Sequence, residues 1–361
     1  MGKFIKCLKT LAKNYDTRQS GKVIYSLEEL WLIIIIGKFV GMEDILACLM
    51  YAQDNIDFLR TLLPYDNGLP SKNTLYRALE NTKKIDMQML FGLLIINNKK
   101  EQIAIDGKTI RGSKRYRNKG LHILNAYLVN NKVPIASITL KSKECEITTL
   151  PNIINSINVD NKVITIDAIG THTKVIDSII KGGGSFILPV KENQKTLYTD
   201  LEKWFIFENF NIKKTNCYKK EYSGFDRREI FISSNISYIT EKYKWSSVKS
   251  VGCVKYKGSK GVFTRYFICS DILDVNEFAS IVRNHWQVEV MHWYLDMVYK
   301  EDDSLLSNYS SVENYDIICK FVYSIIVRIK DNFNCSTKKL LQLISRNPSK
   351  YIPDIFDSLI Y

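Results

Sequence analysis

Two alternating, β-branched runs, "QIAID" ending at Asp106 and "KVITID" ending at Asp167, constrain this chain more than any other feature. Each reads as a strand that closes on a carboxylate before a glycine-containing turn. Around them the pattern runs strand, strand, strand ("QIAIDGKTI", "HILNAYLV", "VPIASITLK"), then helix ("EITTLPNIINSI") and strand. A helix from Thr173 to about Lys181 and the strand "SFILPVK" follow. That order predicts a mixed α/β sheet, in which carboxylates at the ends of neighbouring strands can converge.

The flanks differ. Residues 1–22 are polar and basic and read as a loose arm. Residues 23–97 read as a helical domain that opens with a capping box at Ser26 and Glu29. Its last helix, capped by Ser71 or Asn73, carries Lys72 and Arg77, a pattern that fits a DNA-reading bundle as well as a plain helical packing domain. The first part of the α/β core spans 98–194, and 195–271 is a strand-rich insertion with a hairpin turn at "KGSKG". Residues 272–361 are helical and begin with one long helix from about 275 to 300.

Composition narrows the partners. Lys and Arg outnumber Asp and Glu by 51 to 38, a net charge of +13, which points to a polyanion such as DNA. From Lys108 to Lys119 the bases Lys108, Arg111, Lys114, Arg115, Arg117 and Lys119 have no acid among them. The eight cysteines show no zinc spacing, and Cys145, Cys253 and Cys269 fall in apolar stretches that suit buried thiols. The apolar run "LWLIIII" is too short to span a bilayer, so a cytoplasmic protein is expected.

Each aspartate at a strand end can be a turn-former that bonds its own backbone. If instead the two converge, carboxylates about 4 Å apart repel by about 4 kcal/mol at an effective dielectric of ~20, and Asp106 and Asp167 together call for a cation. Oxygen ligands without Cys or His favour Mg2+ or Mn2+. A third ligand can come from the helix after 275. There His285, Glu289, His292 and Asp296 share one face, flanked by Trp286 and Trp293. Spacing alone leaves Glu289, Asp296, Glu301 and Asp302 as rivals.

At these residues the chain resembles a known family. "AIDGKTIRGS", "TIDAIGTHTKVIDSIIKGGGSFILPVKENQ" and "RNHWQVEVMHWYLDMVYKED" are similar, in that order, to signature blocks of bacterial insertion-sequence DDE transposases of the H-repeat-associated (ISAs-type) group. "YSLEELWLIIIIGKFVGMEDI" and "NGLPSKNTLYRAL" resemble the helical domain that precedes catalysis in that group. The resemblance implies an RNase H-like fold with a strand-rich insertion, preceded by a helical domain and followed by helices. It assigns Asp106, Asp167 and Glu289 as a triad holding Mg2+ or Mn2+, two ions in all. The arginine and lysine positions of the wider superfamily's signature hold His285 and Asp296 here. DNA is the expected partner, both as terminal inverted repeats and as target, with a homodimer as a candidate assembly in the synaptic complex. The expected reaction is end cleavage followed by strand transfer, at the nucleoid. Candidate DNA contacts are Lys108, Arg111, Lys114, Arg115, Lys191, Asn193, Gln194, Lys72, Arg77, His285 and Trp286. Two other readings are a nuclease without strand transfer and a decayed copy that only binds DNA or represses.

Overall fold

Strand β1 (Glu101–Ile110) pairs antiparallel with β2 (Leu121–Leu128), and β2 pairs antiparallel with β3 (Val133–Leu140). The other edge of β1 pairs parallel with β4 (Lys162–Ile166), which pairs parallel with β5 (Ser185–Val190). This computed structural model describes residues 2–84, 91–95, 101–112, 120–140, 146–207, 218–224, 226–304, 306 and 308–358. The insertion supplies β6 (Tyr218–Ser223), β7 (Asp226–Ser233), β8 (Ser250–Gly258) and β9 (Gly261–Cys269). Strand β9 joins β5, so the insertion extends the core sheet to nine strands in the order β3-β2-β1-β4-β5-β9-β8-β7-β6. The expected hairpin lies between β8 and β9, and Gly261 takes φ +93° there.

The helices are α1 (Gly2–Tyr15), α2 (Leu27–Phe39), α3 (Ile45–Asp54), α4 (Ile56–Arg60) and α5 (Lys72–Asn81). Within the sheet region come α6 (Glu146–Asn155), α7 (Thr173–Lys181) and α8 (Lys195–Phe207). Then follow α9 (Val275–Asn284), α10 (Trp286–Met297), α11 (Tyr309–Ile329), α12 (Thr337–Arg346) and α13 (Pro348–Ser358). None is long and apolar enough to cross a membrane among the described residues.

Strand periodicity divides the core. Ile103, Ile105, Ile164 and Ile166 face α6, α7 and α8 in one cluster. Ala104, on the other face, joins a second cluster with α1 to α3, α5 and α10 to α13. The helices of 23–97 and those after 286 thus share one apolar interior, with α5 packed on α11. Helix α2 is buried all round, and its start is held by the expected capping box. A side chain at Gly37 would run into Cys48, so glycine permits the close approach of α2 and α3.

Three expectations change. Residues 1–22 are not a loose arm: α1 buries Phe4, Leu8, Leu11 and Ala12, and Phe4 stacks on Phe356 at 4.0 Å. The lysines of that segment sit between apolar residues at helical spacing, so charge masked an amphipathic helix. The helix after 275 is broken at His285. Helix α9 faces a cluster of Val275, Phe278 and Ile281, whereas α10 faces the larger core with Val288, Met291 and Leu295. The break lets one segment serve both. Asp106 does not end its strand, because β2 keeps pairing through Ile110 after β4 has stopped at Ile166.

Candidate active site

The parallel register of β1 and β4 ends with Ile105 opposite Ile166. Asp106 and Asp167 are therefore the next residues of adjacent strands, on the face opposite those isoleucines. Asp167 also caps a short 3-10 turn (Ala168–Gly170), its Oδ1 accepting from the Ile169 N–H at 3.1 Å.

A polar lock sets α10 against this point. Gln102 Nε2 donates to Thr165 Oγ1 and to the Ile281 carbonyl, both at 3.0 Å. Thr165 Oγ1 lies 3.0 Å from His285 Nδ1. The break between α9 and α10 is thus tied to the floor of the sheet, and the next helical turn carries Glu289.

Asp106, Asp167 and Glu289 line one cleft of about 1180 Å³, together with His285, His292 and Asp296. The helical face expected from spacing is the wall of that cleft. Burial, then Asp106 and Glu146, push the Asp167 carboxyl above its ordinary value. Desolvation, then Asp106, do the same to Glu289. Burial is the larger cause of both shifts; neighbouring carboxylates add to it, while Lys191 beside Asp167 and Arg265 beside Glu289 oppose it. The all-oxygen chemistry of the three acids suits a hard divalent ion. Among the described residues, no three acid, thiol or imidazole groups are already arranged to hold a metal ion. The donor set fits such an ion by chemistry.

The rival Asp296 is engaged elsewhere. Its Oδ1 lies 2.7 Å from Lys108 Nζ, and Lys108 also pairs with Glu301. Lys108 is only 7% exposed, so it is not the free phosphate-neutralising cation that its place in a basic run suggested. Burial alone would lower its pKa, but Glu301 and Asp296 outweigh burial and raise it. Strand β1 continues through Lys108, and the pleat turns its side chain inward.

The other expected contacts divide. Arg111 and Lys191 are exposed and line the cleft. Asn193 Nδ2 donates to the Ala168 carbonyl at 3.0 Å and Gln194 Nε2 to that of Thr171 at 2.9 Å, so both brace the turn after Asp167. Lys72 and Arg77 are exposed on α5, which supplies no lining to the cleft. Trp286 is 40% exposed, with the Arg265 guanidinium over its ring at 5.1 Å. His285 sits at the helix break, its pKa lowered by burial. Lys114 and Arg115 lie outside the described residues, as does Cys145; Cys253 and Cys269 are buried free thiols.

Sequence reasoning missed Arg265, which β9 delivers from the insertion to the cleft beside Glu289. It also missed Asn125, paired with Asp106 across β1 and β2. Neither has a local signal, since only strand order brings them there.

Residues 97–325, a span containing all three carboxylates, match the family described as Transposase DDE domain. The chain belongs to that family. Residues 8–94 match the domain described as DDE_Tnp_1-associated. "Putative transposase YncI" of Escherichia coli O157:H7 is 28% identical over 88% of this chain and 86% of its own length. "H repeat-associated putative transposase YhhI" of Escherichia coli (strain K12) is 28% identical over 87% of this chain and 88% of its own. The piggyBac transposase, solved in a synaptic complex with hairpin DNA, aligns with a TM-score of 0.51 at 11% identity. That alignment covers 99% of this chain and 85% of that one. At such identity the likeness concerns the fold: an RNase H-like DDE fold, a mixed sheet with helices before and after it in the chain.

Proposed function

We propose that this DDE-family chain is an insertion-sequence transposase that binds the terminal inverted repeats of its element. It would cut the DNA at their ends and join the freed 3′-hydroxyls to target DNA. The observation that carries this is the meeting of Asp106, Asp167 and Glu289, from two adjacent strands and one helix, in a single cleft. These three would hold Mg2+ or Mn2+, two ions in all. Bound there, the ions would supply activation of the attacking oxygen and stabilisation of the departing one.

The remaining roles belong to the chain. Arg111, Lys191 and Arg265 ring the cleft and would hold phosphates beside the acids. Trp286, with Arg265 over it, offers a flat face to a base. Lys72 and Arg77 would meet DNA farther out along α5. Asn193 and Gln194 would act by holding the Asp167 turn. DNA as the partner is further supported by the net charge and by the fold likeness to the piggyBac transposase, whose structure contains DNA in a synaptic complex. A homodimer in such a complex, acting on the nucleoid in the cytoplasm, belongs to the same proposal.

The test is the full chain with an element-end duplex, target DNA and Mg2+. Nicked ends and joined products are expected. Nicks without joined products would favour a nuclease, and DNA binding without nicks a non-catalytic repressor. Arg111 is exposed, with Asp302 Oδ2 no nearer than 3.8 Å to its Nε. Arg111→Ala should therefore flatten the log Kd against log salt slope by about one unit, as expected for one lost phosphate contact. An unchanged slope would remove Arg111 from the DNA surface.

A further inference from the structure

Asp106 is not a bare carboxylate. Its Oδ2 lies 3.3 Å from Nδ1 of His292, which is 8% exposed and follows Glu289 by one turn of α10. The other ring nitrogen, Nε2, lies 3.0 Å from Nδ2 of Asn125, a fully buried residue opposite Asp106 in the β1–β2 register.

The surroundings decide where the imidazole proton sits. Lys320 Nζ, on α11, donates to Asn125 Oδ1 at 2.6 Å, and Ser137 Oγ lies 2.5 Å from the same oxygen. An ammonium can only donate, so the amide atom facing Lys320 is the oxygen. The atom facing His292 is then the amide nitrogen, which also donates. Nε2 has to accept from it, and a proton on Nε2 would set two donors against each other. The ring proton is left on Nδ1, directed at Asp106. Lys320 is anchored in turn by Asp316 Oδ2 at 2.5 Å and Ser137 Oγ at 2.9 Å.

We infer that His292 is a positioning residue: its Nδ1–H holds the Asp106 carboxylate in place, and Asn125 and Lys320 impose that tautomer from behind. The inference rests on the proposed role of Asp106 as a cation ligand. It extends the site from the cleft to α11, a helix that otherwise belongs to the apolar core. Partners of this kind orient a ligand without touching the ion, and their loss typically weakens metal binding by about 10–100-fold.

Mn2+ binding to the full-length chain, followed by the electron paramagnetic resonance of free Mn2+, separates positioning from mere packing. His292→Ala should weaken binding by about 10–100-fold. His292→Asn, whose amide nitrogen occupies the place of Nδ1, should restore most of that loss. His292→Gln, whose nitrogen stands where Nε2 was, should not. Independently, 15N NMR of the ring should report the Nδ1–H tautomer in the parent. Lys320→Met, by freeing Asn125 to flip, should shift it toward Nε2–H. An Nε2–H ring in the parent, or equal Mn2+ affinity in parent and His292→Ala, would overturn the inference. So would an Asn variant no better than Gln. Asp106→Asn is the control: its loss of Mn2+ binding beside an unaffected His292→Ala would sink the inference and leave the proposed function standing. Undiminished binding by Asp106→Asn would remove both.

Discussion

Alanine at Asp106, Asp167 or Glu289 is expected to lower metal-dependent nicking of element-end DNA by about a thousandfold or more, with DNA binding retained. Stabilisation of charge by a bound ion is worth several kcal/mol in the transition state, and each 1.36 kcal/mol is a factor of about ten. The three positions should behave alike, because each would remove one ligand of the same proposed oxygen site. Asp296→Ala is the discriminating control. Asp296 lines the same cleft but its carboxylate is spent on Lys108 at 2.7 Å. It should fall short of the triad variants in lost nicking. Total loss at Asp296 with Glu289→Ala unaffected would transfer the third ligand to Asp296, and equal nicking by parent and all three triad variants would end the assignment.

Lys108→Ala is expected to destabilise the fold by about 3–5 kcal/mol, read as a lower midpoint in denaturant unfolding. The ammonium sits buried between Asp296 and Glu301. Burial opposes the charge on Glu301, but Lys108 and its neighbours outweigh it and hold the carboxyl well below its ordinary range. Removing Lys108 leaves the buried Glu301 carboxylate without its ammonium partner and beside the partly exposed Asp296. Pairing Lys108→Met with Glu301→Gln should recover part of the loss, since the uncompensated charge goes too. The salt slope of DNA binding should stay unchanged in the folded Lys108 variant, in contrast to Arg111→Ala. A stable Lys108→Ala with a flattened slope would restore the surface role that the basic run suggests.

The basic run itself shows how far sequence patterns reach. Lys108 and Arg111 stand three residues apart in one uninterrupted stretch of positive charge. One is a buried structural ion and the other an exposed cation: the pleat of β1 turns Lys108 inward, whereas Arg111 lies just past the end of that strand at Ile110. A similar limit applies to α1, where lysines conceal the apolar spacing that buries Phe4 and Leu8. Asn193 and Gln194 follow the fifth strand as expected, yet the turn after Asp167 occupies their amides. Local pattern did succeed where local physics suffices. The capping box at Ser26, the helix at Thr173–Lys181, the hairpin before Gly261 and the four-residue face from His285 to Asp296 are all present.

By itself the sequence determined the α/β class, the two strand-borne aspartates and the helical face that faces them. Those depend on periodicity and turn chemistry, which act between residues a few positions apart. Only the tertiary structure decided that the insertion continues the core sheet through β9 and brings Arg265 to the cleft. It also decided that Asp296 belongs to Lys108 and that His292 reports through Asn125 to Lys320. These partners come from strands and helices far apart in the chain. Strand order and burial alone set which charges meet, and no spacing within one segment encodes that.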